Sequence, residues 1–310
     1  MSKPRAPLPA HLPPVFTARE ARAAGVGVAR LRCPDIRSLA RGLYARAGTG
    51  ASAAQIVRAL CFDDPSAFAC GPTAAELLEM PIPRGLTAVR SRTVHVGSTL
   101  KHEDSALIRW HMSSDAEAKD AILVGGVRAT TRISTWCDLA SLLKSGDLVS
   151  IADHLVRRPR PRLEGRTEPY ASLDDLAAAL EGRRGRRGVR ALRDALVRAR
   201  VGSDSPAETR LRLALEDAGL PEPRLNARTY DGGVDLGEPD LSWPRYRVCL
   251  EHEGPRHLTR AQQERDIERT ERRVSAGWIE VRTVASDLHD GCSRAVVRVD
   301  DALRRHGRTR

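Results

Sequence analysis

Aromatic residues make up only 4% of this chain, so exposed rings stacked on unpaired bases are not expected to dominate its contacts, and RNA is a third-ranked substrate behind DNA. The six cysteines, Cys33, Cys61, Cys70, Cys137, Cys249 and Cys292, form no C-x-x-C pair. That spacing argues against a thiolate zinc site, and the cysteines set among apolar neighbours read as small buried hydrophobes. No apolar run is long enough to span a bilayer and no secretory leader is visible. The expectation is a reduced, cytoplasmic protein without a membrane partner. The histidines of the middle region, His95, His102, His111 and His154, show no metal-ligand spacing, and no catalytic constellation is found there.

What is present in excess is positive charge. The 310 residues carry a formal net charge of +11, with a sequence pI of about 10.0. That balance favours a polyanionic partner, nucleic acid first. Arginine richness alone is also what a GC-rich genome writes, so the distribution matters more. Residues 183–200 hold eight arginines against one acid, Asp194, and the run Arg183, Arg184, Arg186 and Arg187 sits among glycines. A solvated linker helix would share this look.

The length suits two or three domains. A proline-rich tail (1–13) precedes a segment (14–50) with the order helix, glycine turn, helix, strand. Thr17 and Glu20 are expected to form a capping box, and Gly25 to end the first helix. A second helix is read from Val28 towards Arg32, a helical turn at Ile36 to Ala40, and a strand at Gly42 to Ala45. This order suits a winged helix-turn-helix, with Arg30, Arg32 and Arg37 available to phosphates or bases. Small helical domains of this kind also serve as protein-binding platforms. Residues 51–156 alternate helical and strand-like pieces, a small α/β middle domain. Residues 157–202 read as a basic linker and helix. From 203 to 310 the order is helix (206–218), strand-like pieces (224–230), a hairpin (239–253), a long polar helix (259–275), a strand (278–284) and a last helix (287–305). The crossover between the hairpin and the 278–284 strand predicts parallel pairing within a mixed α/β sheet.

The chemistry concentrates in EPDLSWPRYRVCLEHEG, residues 238–254. With the turn at Pro244 to Arg247, Asp240 falls opposite Glu251. Facing side chains of an antiparallel pair lie about 5 Å apart, where two carboxylates repel. Leu241, Trp243, Val248 and Leu250 alternate around them, as in packed strands, and Glu253 shares a face with Glu251. Acids so gathered need a counter-charge. A magnesium ion meets that need and serves phosphate chemistry; arginine pairing meets it too. Glu208, three residues after Ser205, reads as a helix cap that borders the buried face of its helix. Arg260, Arg265, Asp266, Arg269 and Arg273 are read mostly as the solvated face of the long helix, and Arg282 as a phosphate contact.

Together these motifs resemble the PD-(D/E)XK nuclease superfamily, and within it the short-patch-repair-like endonuclease domains. The resemblance covers roughly residues 203–305. It is carried by Ser205-Pro206-Glu208-Arg212, Asp240-Leu241-Pro244, Glu251-Glu253-Gly254-His257, Asp266-Arg269 and Gly277-Trp278-Arg282. The N-terminal part resembles the winged-helix domain of abortive-infection-type antitoxins, and Thr131 to Leu139 their middle-domain signature. The resemblance implies a multidomain α/β protein: an N-terminal winged helix-turn-helix, a small α/β middle domain and a C-terminal restriction-endonuclease-like mixed sheet. It further implies a Mg²⁺-dependent DNA endonuclease (Mn²⁺ as substitute) in DNA repair or phage defence. Asp240, Glu251 and Glu208 would be the metal residues, and Glu253 or His257 would deprotonate water. Where the superfamily has lysine, this chain has Glu253, which removes a positive charge. The alternative is therefore a DNA-binding regulator or antitoxin with a degenerate nuclease fold. DNA is the expected partner, with a homodimer, a toxin or a restriction–modification partner as further candidates.

Overall fold

The computed structural model describes residues 7–254 and 260–309. It is a mixed α/β protein with several sheets, divided into two compact units, Met1–Leu142 and Leu143–Arg310. Among the described residues no helix is long and apolar enough to cross a membrane.

The first unit opens with β1 (Val15–Thr17), α1 (Ala18–Ala23), β2 (Ile36–Ala40) and β3 (Leu43–Arg46), whose strands form an antiparallel sheet in the order β1-β3-β2. The Thr17 side chain caps α1, accepting the Glu20 N–H at 3.1 Å. Glu20 does not reach back to complete a box; its carboxylate pairs with Arg58 at 2.7 Å. The expected second helix shrinks to one 3₁₀ turn, Arg30–Arg32. Ile36–Ala40, read as a helical turn, is a strand. The cause is tertiary: Gly42, at φ +77°, turns the chain so that these residues return along β3, and sheet pairing overrides a weak local preference. Arg32 and Arg37 are exposed, whereas Arg30 pairs with Asp35 at 2.5 Å.

The rest of the unit comprises α2 (Ala53–Asp63), β4 (Phe68–Ala69), α3 (Gly71–Leu77), α4 (Ala88–Ser91), β5 (Val94–Ser98), β6 (Ile108–Met112), α5 (Asp115–Lys119), β7 (Ile122–Val124), β8 (Val127–Ala129) and α6 (Arg132–Leu139). Its sheet order is β6-β5-β4-β8-β7. β7 and β8 form a hairpin that turns where Gly125 and Gly126 take φ of 56° and 79°.

The second unit begins with five helices: α7 (Ser145–Val156), α8 (Pro161–Glu164), α9 (Leu173–Glu181), α10 (Val189–Arg198) and α11 (Pro206–Asp217). Residues 157–202, expected to be a basic linker and helix, belong to this unit. Leu192 and Ala195 of α10 are buried, and Arg198 pairs with Asp217 at 2.6 Å. Likewise α7, expected to close the middle domain, is tied to α11: buried Asp153 accepts from Arg212 and from Thr209, each at 2.8 Å. The sheet follows, built from β9 (Arg224–Leu225), β12 (Leu241–Trp243), β13 (Val248–Glu253) and β14 (Ile279–Val284), with a separate small hairpin of β10 (Tyr230–Asp231) and β11 (Val234–Asp235) between β9 and β12 in the chain. Its order is β14-β13-β12-β9, with β13 and β14 parallel, joined through α12 (Arg260–Ser275), and the other pairs antiparallel. α13 (Ser293–Arg305) closes the unit.

Strand periodicity divides this sheet by chemistry. Leu241, Trp243, Val248, Leu250 and Val281 turn to one face and pack on Leu211 and Leu215 of α11 and Val299 and Leu303 of α13. Their partners in the alternation, Cys249, Glu251 and Glu253, turn to the other face, towards α12. The apolar face thereby anchors the hairpin that carries the acids.

Candidate active site

The hairpin has the expected register, Leu241 with Leu250, Ser242 with Cys249 and Trp243 with Val248. Its turn is the Pro244–Tyr246 3₁₀ turn followed by Arg247 in the left-handed conformation. Carried one residue outward, that register sets Asp240 opposite Glu251. Asp240 Oδ2 accepts the His252 backbone N–H at 2.7 Å, which holds the carboxylate at the β13 edge. The His252 ring lies on the opposite face, Nδ1 3.1 Å from Thr283 Oγ1.

Burial pushes the Glu251 carboxyl above its ordinary value, and the negative charge of Asp240 pushes it further, against the pull of Arg273. That guanidinium is wholly buried. Its Nη1 donates to Glu251 Oε1 and to Glu280 Oε2, each at 2.7 Å, and its Nε to the Leu236 carbonyl at 2.9 Å. Arg269 Nη2 stands 3.8 Å from the same Glu251 oxygen and also pairs with Asp266. Burial alone would raise Glu280; hydrogen bonds from Arg273 and Arg282 hold it below the usual range.

Arg282, expected as a phosphate contact, is committed to acids. It reaches Glu280 at 2.6 Å, Glu253 at 3.1 Å and Asp266 at 3.5 Å. Five carboxylates, Asp240, Glu251, Glu253, Asp266 and Glu280, thus gather around three guanidinium groups, Arg269, Arg273 and Arg282.

Glu208 approaches from α11. Its own N–H caps onto Ser205 Oγ at 3.2 Å, but its carboxylate does not close a box on Ser205. Oε2 accepts from the Asp204 N–H at 2.8 Å and from Asn226 Nδ2 at 2.7 Å. Burial raises its carboxyl above the ordinary value. Asn226 in turn donates its backbone N–H to the Asp240 carbonyl at 3.0 Å, so one residue links the Glu208 carboxylate to the Asp240 backbone.

The structure therefore brings together Asp240, Glu251 and, through Asn226, Glu208. It draws Glu253 into the arginine network of α12 and β14. His257 lies outside the described residues. Arg30, Arg32 and Arg37 belong to the first unit. Arg184 of the basic run pairs with Glu181, and Arg186 and Arg187 are exposed while Arg183 is half-buried.

Three contributors escape a reading of the sequence: Asn226, Arg273 and Glu280. Arg273 was grouped with the solvated face of α12, yet its spacing from Asp266 and Arg269 is the signal that places all three on one helical face. Glu280 and Asn226 carry no such signal, because their roles arise only from strand pairing and a loop.

Among the described residues, no group of three or more histidines, cysteines or acids is gathered closely enough to enclose a metal ion. Mg²⁺ does not need such a cage. It commonly takes one or two carboxylates and completes its shell with water and substrate phosphates. The facing pair Asp240 and Glu251, in a cluster where acids outnumber arginines, fits that donor set.

No family model matches the chain. It resembles two curated proteins. Uncharacterized protein MT2308 and Uncharacterized protein Rv2248, from two strains of Mycobacterium tuberculosis, are each 28% identical to it over 177 residues, 57% of this chain and 62% of theirs. The chain thus spans about three fifths of the length of the curated relatives it matches. No solved structure matches.

Proposed function

We propose that the second unit is a restriction-endonuclease-like domain and that the protein is a Mg²⁺-dependent DNA endonuclease hydrolysing phosphodiester bonds. The observation that carries this reading is the hairpin register, which sets Asp240 opposite Glu251, with Glu208 linked to Asp240 through Asn226. Asp240 and Glu251 would hold the ion, with Glu208 as an outer or second ligand. Bound there, Mg²⁺ supplies a water of lowered pKa and offsets charge on the scissile phosphate. Glu253 would take the proton of the attacking water at a carboxylate oxygen, with His257 as the other candidate base. Arg269, half-buried beside Glu251, offers the positive charge that a lysine at position 253 would have brought. DNA is held mainly through phosphates, by Arg183, Arg184, Arg186 and Arg187 and by Arg32 and Arg37 of an N-terminal winged-helix region. That binding weakens steeply with salt. DNA repair or phage defence is the setting such an activity serves, alone, as a homodimer, or beside a toxin or restriction–modification partner.

One observation favours a second reading. Arg273 already neutralises Glu251 at 2.7 Å, as befits a DNA-binding regulator or antitoxin with a degenerate nuclease fold. Nicking of supercoiled plasmid, with Mg²⁺, Mn²⁺ or chelator, separates the two. The nuclease reading expects metal-dependent nicking that falls on the order of 100-fold or more in Asp240→Asn, with DNA affinity retained in a gel shift. Retained DNA binding without nicking by the wild type, on intact and mismatched duplexes alike, supports the regulator.

A further inference from the structure

We infer that Asn226 is the positioning residue of this site, holding the Glu208 carboxylate against the backbone of Asp240. The inference rests on the nuclease reading above and extends it to a residue that touches no reacting atom.

Asn226 follows β9 and adopts a φ of 41°, in the left-handed region. It ties three separate segments together. Its Nδ2 donates to Glu208 Oε2 at 2.7 Å and to the Gly202 carbonyl at 2.9 Å. Its backbone N–H donates to the Asp240 carbonyl at 3.0 Å. Arg160 Nη2 lies 3.5 Å from Oδ1 and bonds Asp204 Oδ2 at 2.5 Å, so a cation faces the amide oxygen and the carboxylate faces the amide nitrogen. That arrangement defines which way the amide points.

Few residues meet all these demands. Asparagine is the common non-glycine residue in the left-handed conformation, and its amide supplies two donors on one nitrogen. Aspartate tolerates the backbone but has no donor and sets a second negative charge against Glu208. Glycine adopts the backbone without strain and keeps the N–H to Asp240, but lacks the amide. Asn226→Gly therefore removes the side-chain clasp while sparing the backbone.

Glu208 is buried and sits at the start of α11, whereas Asp240 precedes β12 on the sheet. Among the described hydrogen bonds, Asn226 is the residue that contacts both. Without its amide, Glu208 keeps the Asp204 N–H and the packing of its helix but loses its tether to the hairpin.

The test is calorimetric titration of Mn²⁺ into the full-length protein without DNA, beside plasmid nicking, for wild type, Asn226→Gly and Asn226→Asp. Asn226→Gly is expected to raise the half-saturating Mn²⁺ concentration roughly ten-fold, the low end for losing a residue that orients a metal ligand. Nicking at saturating Mn²⁺ should fall far less, and Asn226→Asp should lose more of both. An unchanged Mn²⁺ affinity in Asn226→Gly, beside a wild type that nicks, overturns the inference. A wild type that neither binds Mn²⁺ nor nicks overturns the nuclease reading instead. The clasp is then decided by thermal melts of Asn226→Gly, Glu208→Ala and the double variant. A double-variant loss smaller than the sum of the singles supports it, and additivity overturns it.

Discussion

Two arginines in the second unit are almost completely buried, Arg212 at 2% exposure and Arg273 at 0%, and they do different work. Arg212 meets one buried acid. Asp153 takes Arg212 Nη2 and Thr209 Oγ1 on one oxygen and the Arg200 backbone N–H on the other, at 2.7 to 2.8 Å. Arg273 is divided between Glu251 and Glu280, with Asp240 close enough to act on Glu251. Each leaves one nitrogen without a hydrogen-bond partner among the described residues, Nε of Arg212 and Nη2 of Arg273. The difference is therefore one of charge balance. Around Arg212 the buried charges match, and the pair staples α7 to α11. Around Arg273 negative charge remains in excess, which is the condition for a further cation.

The largest expected effect sharpens this contrast at Arg212. Replacing it with methionine strands Asp153 in the core and should cost about 3–5 kcal/mol in denaturant melts, as for other broken buried pairs. Adding Asp153→Asn should recover part of that loss, because the uncompensated charge is gone; failure to recover would mean that the loss came from packing. Arg273→Met should cost less, roughly 1–3 kcal/mol, because Glu251 keeps contact with solvent and can take up a proton. Its distinguishing effect is on the site. The Mg²⁺ concentration for half-maximal nicking should fall several-fold, since a competing cation has been removed, whereas Arg212→Met should leave that concentration unmoved well below its melting temperature. If both variants lower stability and neither shifts the metal dependence, the contrast collapses and Arg273 is a staple too.

The smallest expected effect is an acid limb. Hydrogen bonds and charge from Arg157, then the Arg160 N–H, hold the Glu164 carboxyl down to about 2 from an ordinary 4.5. A depressed carboxyl contributes stability that is fully present above 4.5 and is lost as pH falls towards 2. Melts of Glu164→Gln between those limits should show a flatter decline than wild type. Glu251, whose carboxyl is raised, works with the opposite sign: its contribution is full below the ordinary value and is lost as pH climbs through the folded one.

Much of the second unit was legible in the residues. Leu241, Trp243, Val248 and Leu250 alternate with period two, so the hairpin, its register and the facing of Asp240 and Glu251 follow from the residues alone. A second rule gives the parallel pairing of β13 and β14, because a long helical crossover leaves little other choice. Of the cysteines, Cys249 is buried as its neighbours Val248 and Leu250 imply, whereas Cys292, equally buried, sits between Gly291 and Ser293 and gives no such sign.

The failures share a cause. Ile36–Ala40 looked helical in isolation and became a strand because Gly42 turned it against β3. Ser145–Val156 looked like the end of one domain and belongs to the next because Asp153 needed Arg212. Local sequence carries periodicity, capping and turn chemistry, each set by neighbours a few positions away. Those features determined the hairpin, the helices and where the acids face. Which arginine neutralises which acid, and that an asparagine after β9 should join Glu208 to Asp240, depends on strand pairing and on residues brought together from as far as 59 positions apart. Burial raises the cost of an unpaired charge only once the chain has closed around it, so those pairings were decided by the tertiary structure alone.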